Sequence, residues 1–337
     1  MSAWKRATVA IGAIGAVAGI GVATERTVAR RLRGRVTPNA SPPIVAEYER
    51  SYRLPAHDGG EIFVVERGVG PVILLSHGVT LSVRTWANQL RDLADAGFRV
   101  VAFDHRGHGA STVGTSGHTI QNLGDDVRSV IEGMDLREVV IVGHSMGGIA
   151  VQALCIHHPE FARERLAGIV LLSTLARSVL AGNRRIGQAT TWIADRLPDS
   201  AAALRARDLG LVITRLGFGR DPDPRAVEAT RQMMLDTHPS TRREAVAALA
   251  HLDLTPHLNE IATPTMVMCG TADLVTPLGE SRRIATRIPG ARLEVFDGGG
   301  HMLMLEQAAR LNTLLADFAD QVQEHGRAAD SVLDRAE

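Results

Sequence analysis

Across 337 residues there are two cysteines, Cys155 and Cys269, and no net charge. Each cysteine lies inside an apolar run. That excludes a disulfide framework and a zinc pattern, and reads as two buried free thiols. Thirty-seven basic residues balance 37 acidic ones, which removes any whole-chain electrostatic case for nucleic acid. No internal repeat is present. What is abundant is apolar: 45% of the residues are hydrophobic, enough for one large buried core with an insertion, and not a disordered composition.

The charge balance hides an asymmetry. Residues 1–35 hold seven basic side chains (Lys5, Arg6, Arg26, Arg30, Arg31, Arg33 and Arg35) and one acid, Glu25. Between them, residues 7–23, "ATVAIGAIGAVAGIGVA", carry no charge for 17 residues. This is short for a membrane span, and its Gly15 and Gly19 have the small-xxx-small spacing that lets membrane helices approach closely. Arginines after the apolar run favour a cytoplasmic flank. The expected reading is a retained membrane anchor with the rest of the chain cytoplasmic. A signal peptide cleaved near Ala16-Val17-Ala18 and an apolar soluble helix are the alternatives. Residues 36–47, with Pro38, Pro42 and Pro43, read as a linker.

From residue 48 the pattern is α/β. "RSYRLP" and "EIFVVER" read as strands around the turn "AHDGG". "PVILLSHG", "FRVVAFD", "EVVIVG", "AGIVLLS", "TPTMVMCG" and "ARLEVFD" are apolar runs of the kind covered on both faces. Helical spacing falls between them, in "RTWANQLRDLADAG", around 121–133, from Met146 to about His158, in "PLGESRRIATRI" with Pro277 at its first turn, and in "MLMLEQAARLNTLLADFADQV". Alternating strands and helices predict a doubly wound, mostly parallel sheet. The alternation stops between 177 and 250, where only helical patterning and turns occur. The expected organisation is a core over 48–176 and 251–323, a helical lid over 177–250 and a flexible tail over 324–337.

The stretch "EVVIVGHSMGGIA" runs a buried strand into Gly143-x-Ser145-x-Gly147 and then a helix. A tight strand–turn–helix reversal requires residues without side chains two positions either side of the serine, and lifts its Oγ above the sheet edge. The N–H of Met146 then sits at a helix N-terminus, aimed at developing negative charge. A serine needs a base and a group to orient it. Asp273 in "GTADLVTP" and His301 in "GGGHMLMLE" follow downstream, each just past a strand end, where open α/β sheets hold their sites. The N–H of Val79, in "LLSHGVT", is the candidate second oxyanion donor. His105 and His108 lie on a loop, "DHRGHGAS", without a third ligand, and read as structural rather than metal-binding.

Taken in order, "HGVT", "DHRGHGAS", "GHSMGG", "GTADLVTP" and "GGGHMLMLE" resemble the recurrent blocks of the α/β-hydrolase fold superfamily, over roughly 45–323 apart from the lid. The resemblance implies Ser145 as nucleophile, His301 as base, Asp273 as acid, Val79 and Met146 as the oxyanion hole, and no cofactor. The single glycine of "HGVT" departs from the HGGG loop of some lipases. Serine at the nucleophile position excludes the relatives that use aspartate there, the epoxide hydrolases and haloalkane dehalogenases. Carboxylic-ester hydrolysis is the expected activity. C–C bond hydrolases, thioesterases, acyltransferases and cofactor-free haloperoxidase-like enzymes share the triad, and a non-catalytic receptor on the same fold is the alternative of another class. The partner expected is a small ester or acyl substrate. Trp192, Phe218, Met233 and Met234 in the lid are the candidates for an apolar, lipid-like pocket.

Deleting residues 1–35 is expected to release the protein from the membrane fraction and leave kcat on a soluble ester within a few-fold. A full-length protein that is soluble without detergent refutes the anchor.

Overall fold

The computed structural model describes residues 45–178 and 200–333. The apolar segment 7–23, Trp192 and the first part of the expected lid lie outside the described residues. Among the described residues no helix is long and apolar enough to cross a membrane.

Eight strands form one sheet: β1 (Arg50–Pro55), β2 (Glu61–Arg67), β3 (Val72–Ser76), β4 (Arg99–Phe103), β5 (Val139–His144), β6 (Leu166–Leu172), β7 (Thr265–Gly270) and β8 (Arg292–Phe296). Their order is β1-β2-β4-β3-β5-β6-β7-β8. β1 and β2 form an antiparallel hairpin, and β2 pairs antiparallel with β4. Every other pairing is parallel. The central strands are apolar on both faces because both faces are covered. Successive side chains point to opposite sides, so Ile73, Leu75, Val140 and Val142 join one core cluster, while Leu74, Val139 and Ile141 join the other.

Two helical layers cover those faces. On the first lie α1 (Ala87–Asp95), preceded by a 3₁₀ turn over Val83–Trp86, and the closing helix, through Leu90, Leu93, Leu311, Leu315 and Phe318. On the second lie α2 (Ile120–Gly133) and α3 (Met146–His157), through Leu123, Val127, Ala150 and Leu154. A short helix not anticipated from the pattern, α4 (Pro159–Arg165), follows α3, with Pro159 in its first turn. Proline has no N–H to lose at that position, so it starts a new helix where the old one ends. Cys155 and Cys269 are both buried and free.

Between β6 and β7 the described residues are helical: α5 (Ser200–Arg205), α6 (Arg207–Arg215), α7 (Pro224–Asp236) and α8 (Pro239–Ala250). α9 (Leu278–Arg287) starts one residue later than the sequence pattern suggests, with Pro277 as its N-cap. The expected closing helix is broken at Gln307 into α10 (Leu303–Glu306) and α11 (Ala308–Leu333), and α11 runs past the expected end near 323.

A buried ion network fastens the loop after β4. Arg106 donates Nε and Nη2 to the two oxygens of Asp126 at 2.6 and 2.7 Å, and Nη1 to Asp58 at 3.0 Å and the Gly117 carbonyl at 2.7 Å. The three side chains are almost wholly buried. Removing the cation strands two buried carboxylates, so Arg106→Ala is expected to cost about 3–5 kcal/mol in urea unfolding. A cost below about 1 kcal/mol shows that water replaces the guanidinium.

Candidate active site

Ser145 sits between β5 and α3 with φ 53° and ψ −117°. A positive φ in a residue with a Cβ costs on the order of 1–3 kcal/mol and persists only where the surroundings impose it. They do so at close range. The Ser145 N–H donates to the Leu172 carbonyl at 3.0 Å, and the Thr174 hydroxyl donates to the Ser145 carbonyl at 2.6 Å. A Cβ on Gly143 would lie 2.6 Å from the Gly147 carbonyl oxygen, and one on Gly147 only 2.2 Å from that of Ser76. Both positions are therefore closed to side chains, as the G-x-S-x-G pattern requires.

His301 follows β8 on the loop 297–302. Its Nδ1 lies 3.0 Å from Asp273 Oδ2. Asp273, in the loop after β7, accepts further hydrogen bonds from the N–H groups of Val275 and Thr276 at 2.9 and 2.8 Å and from the Thr276 hydroxyl at 2.7 Å. Burial opposes its charge, but His301 and Thr276 more than offset this and hold the carboxyl below its ordinary range. An ionised Asp273 makes Nδ1 the protonated nitrogen of His301 and leaves Nε2 as the acceptor. Asp297, the other carboxylate near this loop, points outward with an 85% exposed side chain. It accepts from the Thr271 hydroxyl at 3.2 Å.

The histidine loop and the serine turn are joined directly. His144, the residue before Ser145, donates Nε2–H to the His301 carbonyl at 2.9 Å, and the two rings lie 4.6 Å apart between centroids. Burial, then the neighbouring His301, push the His144 pKa well below 6.5, so this ring is neutral. Gly78 packs on the other side of the turn, where a Cβ would lie 2.9 Å from His144 Nδ1 and 3.0 Å from Ser145 Cβ. The backbone of Gly78-Val79 therefore passes directly beside the serine. Met146 opens α3, and a helix's first N–H has no acceptor within the helix.

The "DHRGHGAS" loop supports this arrangement from beneath. The His105 N–H donates to His77 Nε2 at 3.0 Å, and His77 Nδ1–H donates to the Gly78 carbonyl at 2.7 Å. His105 Nε2 lies 2.9 Å from the Ser76 hydroxyl, and His108 Nδ1 donates to the Arg106 carbonyl at 2.9 Å. Burial first, then neighbouring histidines, lower the pKa of His77 and His105. Of the pocket candidates, Phe218 and Met233 are buried within a core cluster. Met234 lies 3.9 Å through its sulfur from the Thr214 hydroxyl. Thr276, Thr174 and His144 escaped the sequence reading. Only Thr276 carried a signal, as a hydroxyl three residues after a candidate acid.

A model of the alpha/beta hydrolase fold family matches residues 71–308. The chain belongs to that family. It is 30% identical to a non-heme haloperoxidase of Rhodococcus erythropolis, over 79% of this chain and 98% of the relative. It is 28% identical to 3-oxoadipate enol-lactonase 2 of Acinetobacter baylyi, over 72% of this chain and 86% of the relative. Among solved structures it is similar to a thermophilic esterase from Thermogutta terrifontis, with TM-score 0.68 and 26% identity over 82% of this chain and 100% of that one.

Asp104 links the two loops: it accepts from the N–H groups of Val83 and Ala110 at 2.7 and 2.9 Å. Burial pushes its carboxyl up to about 6. A carboxyl with a raised folded pKa stabilises the fold most when both states are protonated, and loses that contribution as pH rises through the folded value. Relative to Asp104→Asn, the protein is expected to lose about 2 kcal/mol of unfolding free energy between pH 4.5 and 7.5. A pH-independent difference between the two proteins refutes the burial penalty.

Proposed function

We propose that the chain is a serine hydrolase that cleaves carboxylic esters. The observation that carries this reading is the His301–Asp273 bond at 3.0 Å on a loop tied by His144 to the strained serine turn. It supports reading His301 as a base whose Nε2 is left as the acceptor, Asp273 as its ionised orienting group and Ser145 as the nucleophile. The esterase and lactonase relatives support the same reaction class.

In this reading His301 Nε2 takes the proton from Ser145 Oγ as the oxygen attacks the ester carbonyl. The N–H groups of Val79 and Met146 receive the oxyanion. Asp273 stabilises the imidazolium and keeps the ring in the productive tautomer. His301 then protonates the leaving alcohol, and water, activated by the same ring, discharges the acyl-enzyme. No step draws on a cofactor. Within the expected lid, 177–250, the described helices α5 to α8 act as the cover, over an apolar acyl group of the substrate. The haloperoxidase relative favours a second reading in which the acyl-enzyme is discharged by a small nucleophile other than water. Product analysis with competing acceptors separates the two.

Ser145→Ala is expected to abolish fluorophosphonate labelling and lower kcat by about 10⁴–10⁶. Labelling that survives the substitution rejects Ser145. Asp273→Asn is expected to lower kcat by roughly 10³–10⁴ with the fold intact by circular dichroism. Asp297→Asn is expected to cost less than about tenfold, under about 1.4 kcal/mol. If Asp297→Asn is the crippled variant, the acid is misassigned.

A further inference from the structure

The loop that carries His301 is built from Gly298, Gly299 and Gly300. Three glycines in succession have little stiffness of their own, so the order of a base placed after them must come from elsewhere. One side chain supplies it. Glu306 Oε2 accepts from the Gly300 N–H at 3.2 Å, and Oε1 from the Met302 N–H at 3.0 Å. The donors are the backbone groups immediately before and after His301. Oε2 also accepts from the Gly219 N–H at 2.6 Å, and Gly219 belongs to the helical segment between β6 and β7.

The two backbones meet along a seam. The His301 N–H donates to the Gly217 carbonyl at 2.9 Å, and the Arg220 N–H to the Gly298 carbonyl at 3.1 Å. A Cβ on Gly300 would lie 2.2 Å from the Gly219 nitrogen, and one on Gly219 only 2.1 Å from the Gly298 oxygen. Arg215 closes the 217–220 turn by donating to the Phe218 and Arg220 carbonyls at 2.9 and 3.0 Å. Capping of the short α10 accounts for the Met302 bond. It does not account for the bond from Gly300, which lies before His301, or for the bond from Gly219, which reaches across to another part of the chain. Burial pushes the Glu306 carboxyl pKa up and the three N–H groups oppose it.

We propose that Glu306 is a positioning residue that locks the His301 loop onto the 217–220 turn, and so sets the reach of His301 toward Ser145. This rests on His301 being the base. It makes the helical segment a support for the catalytic base as well as a cover.

Glu306→Ala, Glu306→Gln and Gly219→Ala test it in the full-length protein, with three readouts. These are kcat and KM on p-nitrophenyl acetate, the downfield proton resonance of His301 Nδ1–H, and amide exchange at 217–220 and 298–302. Glu306→Ala is expected to lower kcat about 100-fold with KM within about threefold. It should also broaden the downfield resonance and lose protection on both sides of the seam. Glu306→Gln is expected to fall between, about tenfold down, because its one oxygen still serves Gly219 and Gly300. Gly219→Ala is expected to reproduce the alanine phenotype from the opposite side. If Glu306→Ala does not fold, the other two variants decide. Unchanged kcat with an intact downfield resonance overturns the proposal, and so does lost stability with unchanged kcat. If the wild type turns over no ester, the hydrolase reading fails separately. The resonance and the exchange pattern then still report whether Glu306 orders the His301 loop.

Discussion

The backbone reversal at Ser145 is the constraint on which the rest of the site depends. A φ of 53° in a residue with a Cβ relaxes unless neighbours forbid it. Here those neighbours are backbone atoms: the Leu172 carbonyl on the adjacent strand, the Ser76 carbonyl facing Gly147, and the Gly147 carbonyl facing Gly143. Backbone of buried parallel strands moves little, because each strand is paired on both sides and covered on both faces. The sheet therefore holds the serine turn rigidly, and the side chains proposed to work with it come from loops at the same edge. That division fits a rigid nucleophile with loop-borne partners.

The loops in turn are held by polar contacts rather than by packing. Asp104 fastens the segment before α1 to the loop after β4, and His105 fastens that loop to His77. Asp273 is fixed by its own turn through Val275 and Thr276. Each tie uses a backbone N–H that would otherwise be buried without an acceptor, so breaking one costs both the contact and the desolvation of its partner.

Much of this was legible in the sequence, and the reasons differ by feature. The central strands were readable because two covered faces leave an uninterrupted apolar run, and the serine turn because its steric demand is met only by glycine at fixed positions. Ser145, His301 and Asp273 stood out through strand ends and chain order. The break at Gln307 left no such mark, since "MLMLEQAARL" keeps helical spacing on both sides of it. Nor did the tie from Glu306 to Gly219. Long-range polar contacts depend on which loops the fold brings together, and one residue type in isolation does not encode that. Asp273 and Asp297 both lie just past strand ends ahead of His301. They differ in that one carboxylate is enclosed by four hydrogen bonds, while the other is 85% exposed.

The neutrality of His144 completes the electrostatics. In the proposed mechanism His301 gains a proton as the oxyanion forms, and His144 lies 4.6 Å from it, ring to ring. A second positive charge at that separation would oppose protonation by about 4 kcal/mol at an effective dielectric constant near 20. That is on the order of a thousandfold in rate. Burial holds His144 uncharged, so its ring contributes a hydrogen bond to the His301 carbonyl without the repulsion. Asp273, equally buried, stays ionised because four donors surround its carboxylate, whereas His144 has one acceptor, the His301 carbonyl, and a buried Nδ1 without a partner to support a charge. One burial environment thus silences one imidazole and, through its hydrogen bonds, preserves the carboxylate that orients the other.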